Sequence, residues 1–320
     1  MKILKTTGKI CLGVLTAGIA LAAVVVGGLN IAKFAIYRDY YAAESALCRN
    51  PGLSDGFVCQ GISAADEAGL ILVSGYMKDG TSSRIYVTTT DSESYYVTLH
   101  CDGETYTGHA GGIAVSGDTA YIANGSKIFS FPLSDVLGAE NGDSVNIGQG
   151  VKVNNKASFL YTDDEYLYVG SYMDSSRTPP EEHVFETAEG THKAICSVYA
   201  IGDLSAPVRV YSIRDYVQGI CFTPDGRIVL STSHGLTSSV YYVYNAADDV
   251  DSGNTLDGAP VFYLDHAVAE ITGPAMAEGM DYFRGSLITL TESASDKYIF
   301  GKLFFANDIA SLDLNTLLSK

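Results

Sequence analysis

Five times the chain repeats a short run built around a small residue. The copies are Cys59-Gln60-Gly61-Ile62, Ala110-Gly111-Gly112-Ile113, Lys156-Ala157-Ser158-Phe159, Val217-Gln218-Gly219-Ile220 and Ala277-Glu278-Gly279-Met280. They lie 51, 46, 61 and 60 residues apart. Each is followed by a second apolar run (Leu70–Ser74, Thr119–Ala123, Tyr166–Gly170, Arg227–Ser231, Ser286–Thr291) and a third (Arg84–Thr88, Lys127–Phe131, Cys196–Ala200, Val240–Tyr244, Ile309–Leu314). A fourth appears four times, at Tyr95–Cys101, Ser144–Val151, Pro207–Ile213 and Pro260–Asp265. The runs are short, rich in Tyr, Val and Ile, and separated by Gly, Asp, Asn and Ser, which is strand-and-turn patterning with no long amphipathic helix among them. A period of about 40–60 residues carrying four strands is the mark of a propeller blade. The repeat predicts an all-β, five-bladed β-propeller over 56–320. Its last blade is either three-stranded or completed by the segment just before Gly56. Glycine suits the inner strands because backbones crowd near a central axis.

Ahead of the repeat, residues 10–32 carry no charge, and Asn30 is their one strongly polar side chain. A helix of this length crosses a hydrocarbon core of about 30 Å. Lys2, Lys5 and Lys9 precede the run and no acid occurs before Asp39, so the positive-inside rule places residues 1–9 in the cytoplasm and the propeller outside, joined through a stalk at 33–55. Ala20-Leu21-Ala22 fits the small-x-small pattern of a cleaved signal peptide. The apolar run continues well past that point and ends at Lys33 and Arg38, which favours an uncleaved, single-pass cell-membrane anchor.

Charge separates the two parts. Five of the 20 basic residues precede Asp39 and all 37 acidic residues follow from it, leaving the remainder near −22. Such a surface argues against nucleic acid and against an anionic membrane surface as partners, and it permits Ca²⁺ or other cations without requiring them. Of six cysteines, Cys11 lies in the apolar run. Cys48 and Cys59 flank a Pro-Gly turn and an oxidising compartment would allow them to pair, whereas Cys101, Cys196 and Cys221 read as buried small apolar residues. No Gly-x-Ser-x-Gly elbow, His-Glu-x-x-His, Walker loop or Rossmann glycine pattern is present. The absence of Trp argues against quinoprotein propellers whose blades stack on tryptophan.

The turn Phe222-Thr223-Pro224-Asp225-Gly226 resembles the Phe-x-Pro-Asp-Gly turn of repeat propellers, including the gluconolactonase-like, sugar-lactone type. The Gln-Gly-Ile and Glu-Gly-Met inner strands look like the Glu-Gly openings of the same group. The resemblance implies propeller architecture over 56–318. That group usually has six blades where this chain has five repeats, so no catalytic residue is carried over.

In a propeller the starts of strands one and three share a rim with the ends of strands two and four, and ligands sit at the channel mouth where inner strands begin. That position collects the candidate ligand-binding residues Gln60, His109, Asn155, Tyr172, Gln218 and Glu278. The loops between second and third strands bring Tyr76, Asn124, His234 and Glu292 to the same rim, and the longest insertions, about 173–194 and 292–307, lie there too. Val73-Ser74-Gly75-Tyr76-Met77 and Val169-Gly170-Ser171-Tyr172-Met173 are near-duplicates, which predicts two equivalent tyrosines. Glu278 and Glu292 are the carboxylate pair of the rim. Two functions follow as expectations. One is a tethered recognition module for an extracytoplasmic peptide, glycan or protein partner. The other is a Ca²⁺-dependent lactonase- or phosphodiesterase-like hydrolase with Glu278 and Asn155 as metal ligands and His109 as acid or base.

Overall fold

The computed structural model describes residues 2–303 and 306–319, with side chains described from residue 15 onward except that of residue 303. Cys11 and the lysines of the basic tail therefore lie outside the described side chains. The first 35 described residues form one helix, α1, Lys2–Ile36. Its apolar stretch Leu15–Ile36 is long enough to cross a membrane and none of it is buried in the protein. A short helix α2, Arg38–Ala43, follows directly.

The remainder is a five-bladed propeller. Inner strands run at Phe57–Ala65, Gly112–Ser116, Ala157–Thr162, Val217–Phe222 and Ala277–Phe283, and each pairs antiparallel with the strand after it. Neighbouring inner strands pack almost backbone to backbone. A Cβ on Gly61 would lie 2.6 Å from the Ile113 amide nitrogen, and one on Gly112 only 2.4 Å from that of Leu160. This is the crowding that selects glycine there. The Thr223–Gly226 turn works the same way at the far end of its blade: Gly226 takes φ +80°, and Thr223 Oγ1 accepts the Arg227 amide at 3.1 Å.

Blade 5 is closed by the chain's own N-terminal segment. Strand β1, Glu44–Arg49, pairs antiparallel with Asp308–Leu312, from Glu44 opposite Leu312 to Arg49 opposite Asp308. The stretch 33–55, expected as a stalk, thus contains α2 and a propeller strand. Tyr40 of α2 is buried, with its ring 5.8 Å from that of Tyr241 in blade 4.

Two of the four fourth-strand assignments need correction. Ser144–Asn146 pairs in parallel with Ser94–Cys101 of blade 1, and Ala259–Tyr263 pairs in parallel with Arg209–Ile213 of blade 3. The outer strands of blades 2 and 4 are instead Val151–Lys152 and Ala269–Gly273. Each displaced segment covers an open sheet edge of the preceding blade and buries its own apolar residues there: Val145 and Ile147 against Val97 and Leu99, Val261 against Ile195 and Val210. Cys48 and Cys59, open to pairing in the sequence, are free thiols in one apolar cluster with Phe57 and Ile62. Cys59 Sγ donates to the Thr291 carbonyl at 3.4 Å.

Candidate functional site at the channel mouth

Each inner strand begins at the same rim, so the residues just before and after those starts converge. Two hydrogen-bonded series meet at the mouth, one across blades 2, 1 and 5 and one between blades 4 and 5. In blade 2, His109 Nε2 lies 2.5 Å from Gln60 Oε1 of blade 1. Gln60 Nε2 donates to Glu292 Oε2 of blade 5 at 2.8 Å and to the Cys59 carbonyl at 2.8 Å. In blade 4, Gln218 Nε2 donates to Glu278 Oε1 of blade 5 at 3.2 Å. Because the Gln60 oxygen can only accept, His109 carries its proton on Nε2 and presents Nδ1 as an acceptor.

Both carboxyl groups are buried. Burial raises Glu278 well above the ordinary carboxylate range, and repulsion from Glu292 adds to it. Burial also raises Glu292, to about 7, against the opposing pull of a Tyr298 hydrogen bond, Lys297 and the Gln60 amide. Two like charges in a dry channel cannot both be ionised at low cost, so the pair retains a proton near neutral pH. His109 is exposed at the rim, and desolvation of its inner side, then Lys297 and Arg177, lower it to about 4.

Two tyrosines frame the mouth in matching ways. The Tyr76 ring lies 4.4 Å from that of His109, with Lys297 Nζ 4.5 Å from its centroid. Lys297 also hydrogen bonds the Tyr76 hydroxyl. On the other side Tyr172 contacts His234 Nδ1 through its hydroxyl at 3.3 Å and carries the Arg177 guanidinium at 5.0 Å. The near-duplicate Ser-Gly-Tyr-Met and Gly-Ser-Tyr-Met segments therefore build two tyrosine–histidine pairs, each capped by a cation. Backbone strain marks the same rim: Ala110, Tyr216 and Met276 all have positive φ, between 48° and 68°.

Asn155 stands apart from this cluster. It is buried and donates to the Val169 carbonyl at 2.7 Å and to Ser197 Oγ at 3.4 Å, inside its own blade. Its Oδ1 has no hydrogen-bond partner. Among the described residues, no group of three or more His, Cys, Asp or Glu is placed to hold a metal ion. Insertion 173–194 folds into a small hairpin, Phe185–Thr187 against Gly190–His192, with His183 and His192 buried and His192 Nδ1 3.2 Å from Ser212 Oγ. Lys297, Tyr298 and Arg177 are members of the mouth that sequence reasoning did not single out. The signal for them was the length of the two insertions. A cavity of about 870 Å³ opens at the opposite end of the channel between Asp66, Asp163, Phe222 and Tyr282, away from the buried carboxyl pair.

No family model matches the sequence, and no curated protein matches it. Among solved structures, the chain is similar to the PQQ-bound form of an aldose sugar dehydrogenase from Streptomyces coelicolor, at 15% identity over 77% of this chain and 76% of that one, with a TM-score of 0.44. It is also similar to XC5397, a gluconolactonase from Xanthomonas campestris (14% identity, 74% and 70% covered, TM-score 0.38), and to a chain of a nidogen/laminin complex (9% identity, 74% and 73% covered, TM-score 0.38). None of these scores reaches 0.5, and the site is read from its own chemistry.

Proposed function

We propose that the protein is a membrane-tethered propeller whose channel mouth recognises an extracytoplasmic, hydroxyl-rich ligand of the glycan class. The buried Glu278–Glu292 pair carries this reading. Held by Gln60 and Gln218 and sharing a proton, it offers donors and acceptors to hydroxyl groups without a free buried charge. Tyr76 and Tyr172 supply flat apolar faces beside it, and Lys297 and Arg177 attract an anionic substituent. The apolar α1, preceded by three lysines and no acid, supports tethering, and the greater basic charge on its N-terminal side favours the propeller outside.

Two measurements test the reading. The full chain should remain with membranes after a carbonate wash, and the propeller should be digested by protease added outside intact cells; release as a shorter soluble chain overturns the anchor. Detergent-solubilised full-length protein should retain members of a glycan array, and Glu292→Gln and His109→Ala should each abolish that retention without lowering thermal stability. Retention unchanged in both variants moves the functional surface elsewhere.

The second reading is a hydrolase of the lactonase or phosphodiester type. What favours it is Glu292, whose pKa near neutrality suits a general acid or base. Its calcium-dependent form draws on no group of three or more His, Cys, Asp or Glu among the described residues, and Asn155 is buried in its own blade rather than beside Glu278. Calcium that raises the thermal midpoint of the wild type but not of Glu278→Gln would restore it.

A further inference from the structure

Among the described residues, the two most exposed large apolar side chains of the propeller are consecutive. Ile299 is 79% and Phe300 68% exposed, against 52% or less for every other such residue outside α1 among those described. They sit at the tip of the 292–307 insertion, where Phe300–Leu303 forms a 3-10 turn packed against α1. The contact is specific: Asn30 Nδ2 of α1 donates to the Lys302 carbonyl at 3.1 Å and to the Val26 carbonyl at 2.9 Å. Asn30 is thus the polar side chain within the apolar run that ties the run to the propeller. It lies six residues before Ile36, the end of the stretch long enough to span a membrane, which is about 9 Å along a helix axis. A segment held against α1 at that point cannot stand off from a bilayer that α1 crosses. The charges beside the tip are already engaged: Lys302 Nζ bonds the Ala294 carbonyl at 2.7 Å and pairs with Asp296 at 3.0 Å, and Lys297 is engaged by Tyr76.

From this we infer that Ile299 and Phe300 enter the outer leaflet as a second membrane contact of the propeller, with the acyl region of the bilayer as their partner. The inference rests on α1 being a retained membrane span. Paired exposed apolar residues rimmed by anchored lysines have the composition of an interfacial contact. Because Glu292, Lys297 and Tyr298 belong to the same insertion, the contact fixes the channel mouth beside the headgroup layer.

The absence of Trp makes the test direct. Full-length Phe300→Trp and, separately, Ile299→Trp are reconstituted into phosphatidylcholine vesicles with and without brominated acyl chains. Val208→Trp, exposed at the opposite rim, is the control. The first two are expected to show blue-shifted emission quenched at least about twofold by brominated lipid, as burial at the acyl boundary requires, and the control to show neither. Two reporters guard against one substitution failing to fold, which the thermal transition of each variant reveals. Red-shifted, unquenched emission from both variants in chains that still float with the vesicles overturns the second contact while leaving the anchor intact. Chains that do not float overturn the anchor reading and this one with it.

Discussion

Glu292 occupies a position where an ordinary glutamate would be ionised, and the surrounding chain resists that. Its pKa is raised to about 7 from an ordinary 4.5, chiefly by burial. Across that window the folded state keeps a proton the unfolded chain has released, so stability falls as pH rises from about 4.5 to about 7 and is level above it with respect to this group. The slope is at most about 1.4 kcal/mol per pH unit. Thermal melts of wild type and Glu292→Gln at pH 7.5 and 5.5 should show a larger gain on acidification in the wild type. Equal gains would mean that Glu292 is ionised in the native state. His109 acts in the opposite sense below its ordinary value but is common to both proteins, so the comparison reports Glu292 together with its repulsion of Glu278. A glycine of the inner strand gives a second test at this scale. A Cβ at Gly112 would press on the backbone of Phe159 and Leu160 in the next blade, at 2.7 and 2.4 Å. Backbone cannot rotate away, so Gly112→Ala should cost about 2 kcal/mol or more in denaturant unfolding. A cost below half that would show that the blades can separate locally.

At the scale of elements, the propeller is built by runs that sequence periodicity locates well and by edges that it does not. All five inner strands fall where the repeat places them, since crowding at the axis imposes a small residue and apolar neighbours that are visible in the chain. The outer strands are chosen by whichever open edge is nearest and by which apolar side chains remain to be covered. Val145, Ile147 and Val261 are apolar in the sequence but give no sign of which blade they will join. Helix α2 illustrates how a short element gains stability entirely from tertiary packing. Its six residues bury Tyr40 and Ala43, and Tyr40 stacks on Tyr241. Tyr40→Ala should therefore lower the unfolding free energy by about 3–5 kcal/mol, the usual loss for a buried aromatic truncated to alanine. A change under 1 kcal/mol, with the blade 5 strands equally protected from hydrogen exchange, would show that α2 is not part of the closure.

For the whole molecule, the strand that closes the ring follows closely on the apolar helix α1 in the same stretch of chain. Strand β1 begins eight residues after Ile36, and it covers the edge of Asp308–Leu312 that would otherwise be open. An uncovered edge strand pairs with other copies. Deleting residues 1–49 should lower the thermal midpoint and produce self-association measurable by light scattering, whereas deleting residues 1–36 leaves α2 and β1 in place and should give a monomer. Monomeric behaviour of both would mean that the fifth blade tolerates three strands. The short path from α1 to β1 also leaves the propeller little freedom to tilt, which is what brings the 292–307 insertion against α1.

The sequence by itself determined the blade count, the inner strands, the apolar helix and the identity of most of the mouth: Gln60, His109, Tyr172, Gln218 and Glu278 are placed there by repeat position alone. These are local properties, set by periodicity of two, by turn chemistry and by the need for small residues at a crowded axis. Tertiary structure alone decided that Asn155 turns into its own blade, that Gln60 and Gln218 each hydrogen bond one carboxyl group of the Glu278–Glu292 pair, that Lys297 and Arg177 cap the two tyrosines, and that β1 rather than a free edge closes the ring. Each of those depends on which distant segment supplies a partner for an unsatisfied polar group or an uncovered sheet edge, and a linear pattern holds no record of that choice.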